Sequence, residues 1–231
     1  MDDPGVRALR QAGATWDDDA EAGAWLRDRL TELNASVSGA VPDGYEAYAV
    51  VPLSPQLVDG DEEYAPHAWL DALLDVLAPV TGDQPVHCGT WEGWGAFYDV
   101  GEDPGTAPGM GIMFAGDEDA TPEEIERVTA EGRAHLARVR PQRPDAGPLA
   151  LPDRRYYLWT GPLRSVGALN ELLSDPPTLV WPEDRSWFLG VPIYTLEAAL
   201  GGPKGLVDAV LADPRLGARR ADRSTELDID D

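Results

Sequence analysis

The stretch PTLVWPEDRSWFLGV, Pro177 to Val191, constrains the fold more than any other part of the chain. Two short runs rich in apolar and aromatic residues flank PEDR, a tetrapeptide with turn chemistry. That spacing predicts a β-hairpin, and with it antiparallel pairing. Three further runs read as strands: YEAYAVVPL (Tyr45–Leu53), Val86–Trp91 and RRYYLWTG (Arg154–Gly161).

Helical patterns lie between them. Ala22, Leu26, Leu30 and Leu33 share one face of a helix predicted from Asp18 to Leu33, with acidic residues suiting its first turn. In HAWLDALLDVL, residues Trp69, Leu70, Leu73, Leu74 and Leu77 form a core-facing stripe. TPEEIERVTAEGRAHLARV begins with Thr121 as N-cap, Pro122 at the first helical position and Glu124 closing a capping box. A short helix is predicted around Val166–Leu173, and PKGLVDAVLAD reads as the last helix. Strands and helices mix without strict βαβ alternation. The expected class is therefore α+β, a largely antiparallel sheet covered by helices, in two closely packed lobes.

The proline-rich connector Arg140–Pro152 divides the expectation into an acidic N-terminal α/β lobe (1–140) and a C-terminal α/β lobe (150–220) forming one compact unit. The tail, 221–231, is expected to be disordered. No apolar run approaches the ~20 residues of a membrane-spanning helix. MDDPGVRALRQAG lacks the pattern of a secretory signal, and the single cysteine, Cys88, has no internal partner. These features predict a cytoplasmic setting.

Charge is the strongest global signal. The chain carries a net charge of −24, and the span Leu30–Glu126 holds 20 of the 42 acidic residues and none of the 18 basic ones. Such a field repels nucleic acid and anionic membranes and attracts a basic protein. It equally serves solubility, or life in a salt-rich cytoplasm. The exposed acidic contributors expected beside Gly60 are Asp59, Asp61, Glu62 and Glu63.

Few residues carry chemistry-bearing patterns. His67, His87 and Cys88 have no CxxC or HxxxH spacing, so neither a metal nor a cofactor site is expected. Strand neighbours face opposite ways, so His87 is badly placed to activate Cys88, which reads as a buried structural residue. GGPKG (Gly201–Gly205) opens a helix but lacks the full phosphate-loop pattern. Glu92 lies between Trp91 and Trp94. It is either a carboxylate with its pKa raised by apolar neighbours or part of a Glu92-Gly93 turn; turn chemistry favours the second. Arg154, Arg155, Tyr156, Tyr157, Trp159, Trp181, Arg185 and Trp187 combine guanidinium groups with aromatics. That set suits a planar anion, but half-buried sheet strands produce it without any ligand, and the enrichment of aromatics in strands favours this core reading. The possible pocket residues are thus Glu92, Trp94, Arg155, Trp159, Arg185 and Trp187.

The segments VPDGYEAYAVV, GTWEGWG, LPDRRYYLWTGPL, PTLVWPEDRSWFLGVPIYTLEAALGG and LADPRLGAR, in this order, resemble an uncharacterised family of hypothetical proteins from GC-rich Gram-positive bacteria. The likeness runs from about Val41 to Arg219. It implies a bacterial cytoplasmic protein of one architecture and brings no activity or catalytic residues with it.

The sequence-based expectation is a non-enzymatic binding protein, immunity- or regulator-like, whose acidic surface engages a basic protein partner. The alternative is a small-molecule-binding protein or enzyme with a Trp/Arg-lined pocket.

Overall fold

The computed structural model describes residues 3–53, 67–98 and 121–229, apart from the side chains of residues 129, 133 and 135–139. The described residues form nine strands, β1 (Thr15–Trp16), β2 (Ala47–Pro52), β3 (Val86–Trp91), β4 (Leu149–Leu151), β5 (Arg154–Gly161), β6 (Leu179–Pro182), β7 (Phe188–Gly190), β8 (Glu197–Gly202) and β9 (Arg219–Ala221). They form one sheet in the order β1-β5-β3-β6-β7-β8-β2-β9, with β4 also on β5. Every pairing is antiparallel. The helices are α1 (Pro4–Gln11), α2 (Val37–Ala40), α3 (Ala68–Thr81), α4 (Pro122–Val139), α5 (Asn170–Leu173) and α6 (Lys204–Ala212). The fold is α+β, a large antiparallel sheet with helices.

Both faces of the sheet are covered, which explains why β2 and β6 read as continuous apolar runs rather than alternating ones. On one face Val86, Cys88, Trp159, Val180 and Leu200 meet Trp69, Leu73 and Leu77 of α3 and Leu206, Val207 and Val210 of α6. On the other, Tyr156, Leu158, Leu179, Trp181 and Phe188 lie under Leu26, Leu30, Val37, Ala40 and Val41. At ~25 cal/mol per Å² of apolar surface, these two layers supply the main stabilising term.

The expected hairpin is β6–β7, in register Leu179↔Gly190 and Val180↔Leu189. Its PEDR turn closes through Arg185 N–H to the Pro182 carbonyl at 2.8 Å, while Asp184 accepts from Ser186 N–H at 2.9 Å. The capping box at α4 is formed as well: Glu124 accepts from Thr121 N–H at 2.9 Å and donates its own N–H to Thr121 Oγ1 at 3.3 Å.

The proline-rich connector joins two parts of one sheet. Among the described residues β1 pairs with β5, β2 with β8 and β9, and β3 with β5 and β6. Each of the three strands described before the connector therefore finds a partner beyond it.

Several local expectations are corrected. The helix predicted over Asp18–Leu33 is a 3₁₀ segment, Glu21–Leu26, followed by a turn. Gly23 approaches β4 so closely that a Cβ there would lie 2.6 Å from Leu149 Cδ2. Leu26 and Leu30 are buried as the periodicity requires, but Leu33 is left exposed. The Val166–Leu173 helix is two pieces, a 3₁₀ turn at Leu163–Gly167 and the short α5. Residues 221–229, expected to be disordered, are tied down. Leu227 is buried and donates to the Ala35 carbonyl at 2.9 Å. Asp228 N–H reaches Glu197 Oε2 at 3.0 Å, where Arg219 also donates at 2.7 Å. Glu197 is buried, and these two donors compensate its charge.

Candidate functional site: an apolar cleft with a buried arginine

Pro152 and Asp153 turn the chain between β4 and β5. Proline presets the first turn position, and Asp153 takes the left-handed conformation at φ 58°, which Asp tolerates better than most residues. From there the strand alternation deals the two arginines to different surroundings. Arg155 points to solvent, and Arg154 points inward and is only 7% exposed.

Arg154 lines a cleft of about 380 Å³ at one end of the face that Leu26 and Leu30 cover. The other walls are Trp91 from the end of β3, Tyr156 of β5, Leu179 of β6, Ala40 of α2, and the Val191–Thr195 loop between β7 and β8. Leu33, Tyr194 and Ile229 also line it and stay 54%, 70% and 53% exposed. Tyr194 adopts φ 65°, a conformation that costs a bulky residue on the order of 1 kcal/mol and holds the phenol at the mouth. The opening is thus rimmed by large apolar side chains.

The electrostatics of the cleft centre on Arg154. Its Nη2 donates to the Leu30 carbonyl at 3.2 Å, and its Nε has no partner. No carboxylate forms an ion pair with it among the described residues. Burial pushes its pKa down, against the opposing pull of Tyr156 and Asp153. Burial likewise pushes the Tyr156 phenol up to about 12, so it stays neutral. Asn34 is already engaged with Glu32 and Ser36, and Thr195 with the Pro192 and Glu197 carbonyls.

The residues singled out from sequence do not converge on one site. Glu92 and Arg155 meet as a two-bond ion pair, Nη2 to Oε2 at 2.7 Å and Nε to Oε1, beside the Glu92-Gly93 turn. Trp94 packs edge-on against Trp91, with centroids 5.6 Å apart. Trp159 is buried under the helices against Trp16, and Trp187 is buried in the same layer. Arg185 lies over the Trp25 ring at 4.9 Å on the opposite face. Asp59, Asp61, Glu62 and Glu63 lie outside the described residues. Cys88 is fully buried, and burial raises its pKa well above the usual thiol value. The backbone N–H of Lys204, at the GGPKG helix start, donates to Glu46 at 3.0 Å, so a carboxylate of the chain already occupies that anion position.

One polar chain crosses the sheet. Thr160 Oγ1 lies 2.7 Å from Asp17 Oδ1 and 2.8 Å from His87 Nδ1, and His87 Nε2 lies 2.6 Å from Glu183. His87 also stacks on Trp181. The order hydroxyl–imidazole–carboxylate is that of an activated nucleophile. Here, however, the hydroxyl is also bonded to Asp17, so the four groups serve first as a tie between the segments around β1, β5, β3 and β6.

No family model, curated protein or solved structure matches the chain. No helix among the described residues is long and apolar enough to cross a membrane.

Proposed function

We propose that the protein binds a small, largely apolar molecule in the cleft between the β4–β5 turn, Trp91 and the Val191–Thr195 loop. One observation carries this reading: Leu33, Tyr194 and Ile229 remain exposed around an apolar concavity. Large apolar side chains gathered at a cleft mark a place where something docks. A volume of about 380 Å³ falls at the lower end of the ~300–1,000 Å³ of small-molecule sites. Titration with Nile red, a neutral dye that brightens in apolar surroundings, tests it. Saturable binding is expected, and Leu33→Asp and Ile229→Asp should each weaken it at least fivefold with little change in Tm. No binding, or binding indifferent to both substitutions, overturns the reading.

A second reading rests on charge. The span Leu30–Glu126 has no basic residue of its own, and its described part displays Asp43, Asp71 and Asp83 on the surface. We propose a basic protein as the partner of that surface, captured by electrostatic steering that weakens as salt screens it. Asp59, Asp61, Glu62 and Glu63 changed together to Asn and Gln should slow association with such a partner. An unchanged set of bound proteins in a pull-down with that variant overturns this second reading.

A further inference from the structure

Arg154 is an expensive residue for an apolar wall. A guanidinium taken out of water costs several kcal/mol unless its charge is matched and its donors are used. In this protein one of its five N–H donors meets the Leu30 carbonyl, its Nε is unbonded, and no acid among the described residues pairs with it. The neighbouring Arg155, on the outer side of the same strand, takes Glu92 in a two-bond ion pair. Among the described residues, a carboxylate is thus supplied to the exposed arginine and none to the buried one. Polar groups of Asn34 and Thr195 in the same walls are engaged elsewhere. Among the described residues lining the cleft, Arg154 is the only cationic side chain and Asp153 the only acidic one.

We propose that the ligand of this cleft is a small monocarboxylate with an apolar body, its carboxylate paired with Arg154 and its body lying against Trp91, Tyr156, Leu179 and Tyr194. The inference rests on the small-molecule reading above and gives it a chemical class. Guanidinium and carboxylate match in shape as well as charge, each offering two parallel positions. The apolar surroundings strengthen the pairing, because little water competes for either group. The ligand completes an ion pair of which the fold holds one half.

Octanoate, 1-octanol and octylamine share an alkyl body and differ in head group, so calorimetric titration of the three separates the head from the body. Wild type should bind octanoate about 10- to 100-fold more tightly than 1-octanol, the span that charge-assisted hydrogen bonds provide. Octylamine should bind more weakly than 1-octanol. Arg154→Gln should reduce octanoate to the affinity of 1-octanol and leave 1-octanol within threefold of its wild-type value. Asp153→Asn, which removes the like-charged side chain of the same cleft and leaves Arg154 in place, should tighten octanoate about twofold and leave 1-octanol unchanged. Octanoate affinity unchanged in Asp153→Asn overturns the carboxylate inference even if the Arg154 variant fails to fold. Equal binding of octanoate and 1-octanol by wild type, or an octanoate preference that survives in Arg154→Gln, overturns the carboxylate inference while the apolar site stands. Failure of all three probes to bind overturns both.

Discussion

The indole N–H of Trp187 donates to Thr81 Oγ1 over 3.1 Å, and the same hydroxyl donates to the Leu77 carbonyl at 2.9 Å. A single threonine at the end of α3 thereby satisfies the one polar atom of a fully buried tryptophan on the β6–β7 hairpin. The bond fixes the helix against the sheet at that point.

Trp187→Ala should accordingly destabilise the protein by about 3–5 kcal/mol, the usual cost of truncating a buried aromatic. Thr81→Val keeps the shape and removes the acceptor, leaving a buried N–H without a partner; about 1–3 kcal/mol should be lost. Chemical denaturation of both variants measures these values. A Thr81→Val midpoint equal to that of wild type would show that the bond contributes nothing.

Glu92 and Arg155 form a two-bond ion pair beside the β3 turn, yet the arginine side chain is 57% exposed and that of Glu92 18%. Solvent screening discounts such a pair, so Arg155→Met should change stability by less than about 1 kcal/mol. It should also leave Nile red and octanoate binding within twofold of wild type. A large loss of either ligand would move the binding site from the inner arginine to the outer one.

That contrast also shows where sequence reading stops. α3, β3, β5, the β6–β7 hairpin, α4 and α6 were legible, because apolar period, capping residues and turn chemistry are local signals. β1 and β9, two and three residues long, exist through pairing alone. β8 ends in Gly201-Gly202, which reads as the approach to a helix; both glycines lie in the sheet, Gly201 opposite Tyr48. The clustering of arginines with aromatics pointed toward a ligand site, but it singled out Arg155 and Arg185 and passed over Arg154 as an anchor. Alternation says that adjacent strand residues face opposite ways; only the register against β4 and the turn at Asp153 decides which of them faces inward.

Asp17 sets a pH dependence. Burial raises its carboxyl pKa, Thr160 and His87 pull it down, and Asp18 and Asp19 push it up. A carboxyl that holds its proton more tightly when folded adds stability that is complete below the ordinary value of 3.8 and is lost as pH rises through the folded-state value. Asp17→Asn removes the charge and keeps an acceptor for Thr160. Its Tm should therefore exceed that of wild type at pH 7, with the advantage shrinking toward zero below about pH 4. A difference independent of pH across a melting series would contradict this account.

Gly190 tests how tightly the cleft wall is built. A Cβ at this position would lie 2.0 Å from the Ala40 carbonyl oxygen, a backbone atom that cannot swing aside. Gly190→Ala should cost at least the upper end of the ~1–3 kcal/mol typical of overpacking. Because Ala40 lines the cleft, it should also weaken Nile red binding. A fully stable variant with unchanged dye affinity would show that α2 adapts freely.

The strand pairing across the proline-rich connector bears on how the chain is made. During synthesis β2 emerges early, but β8, which gives it a neighbour, is complete only at residue 202. At ~5–20 residues per second, β2 waits on the order of ten seconds or more without a partner. β3 waits in the same way for β5. Unpaired apolar strands invite association between nascent chains. Both strands lie inside the span from Leu30 to Glu126 that carries 20 carboxylates and no cation. Mutual repulsion keeps neighbouring unfinished chains apart for as long as those strands are bare. The charge proposed above to meet a basic partner on the finished molecule is thus already in place while the chain is unfinished, in the part of the protein that must wait.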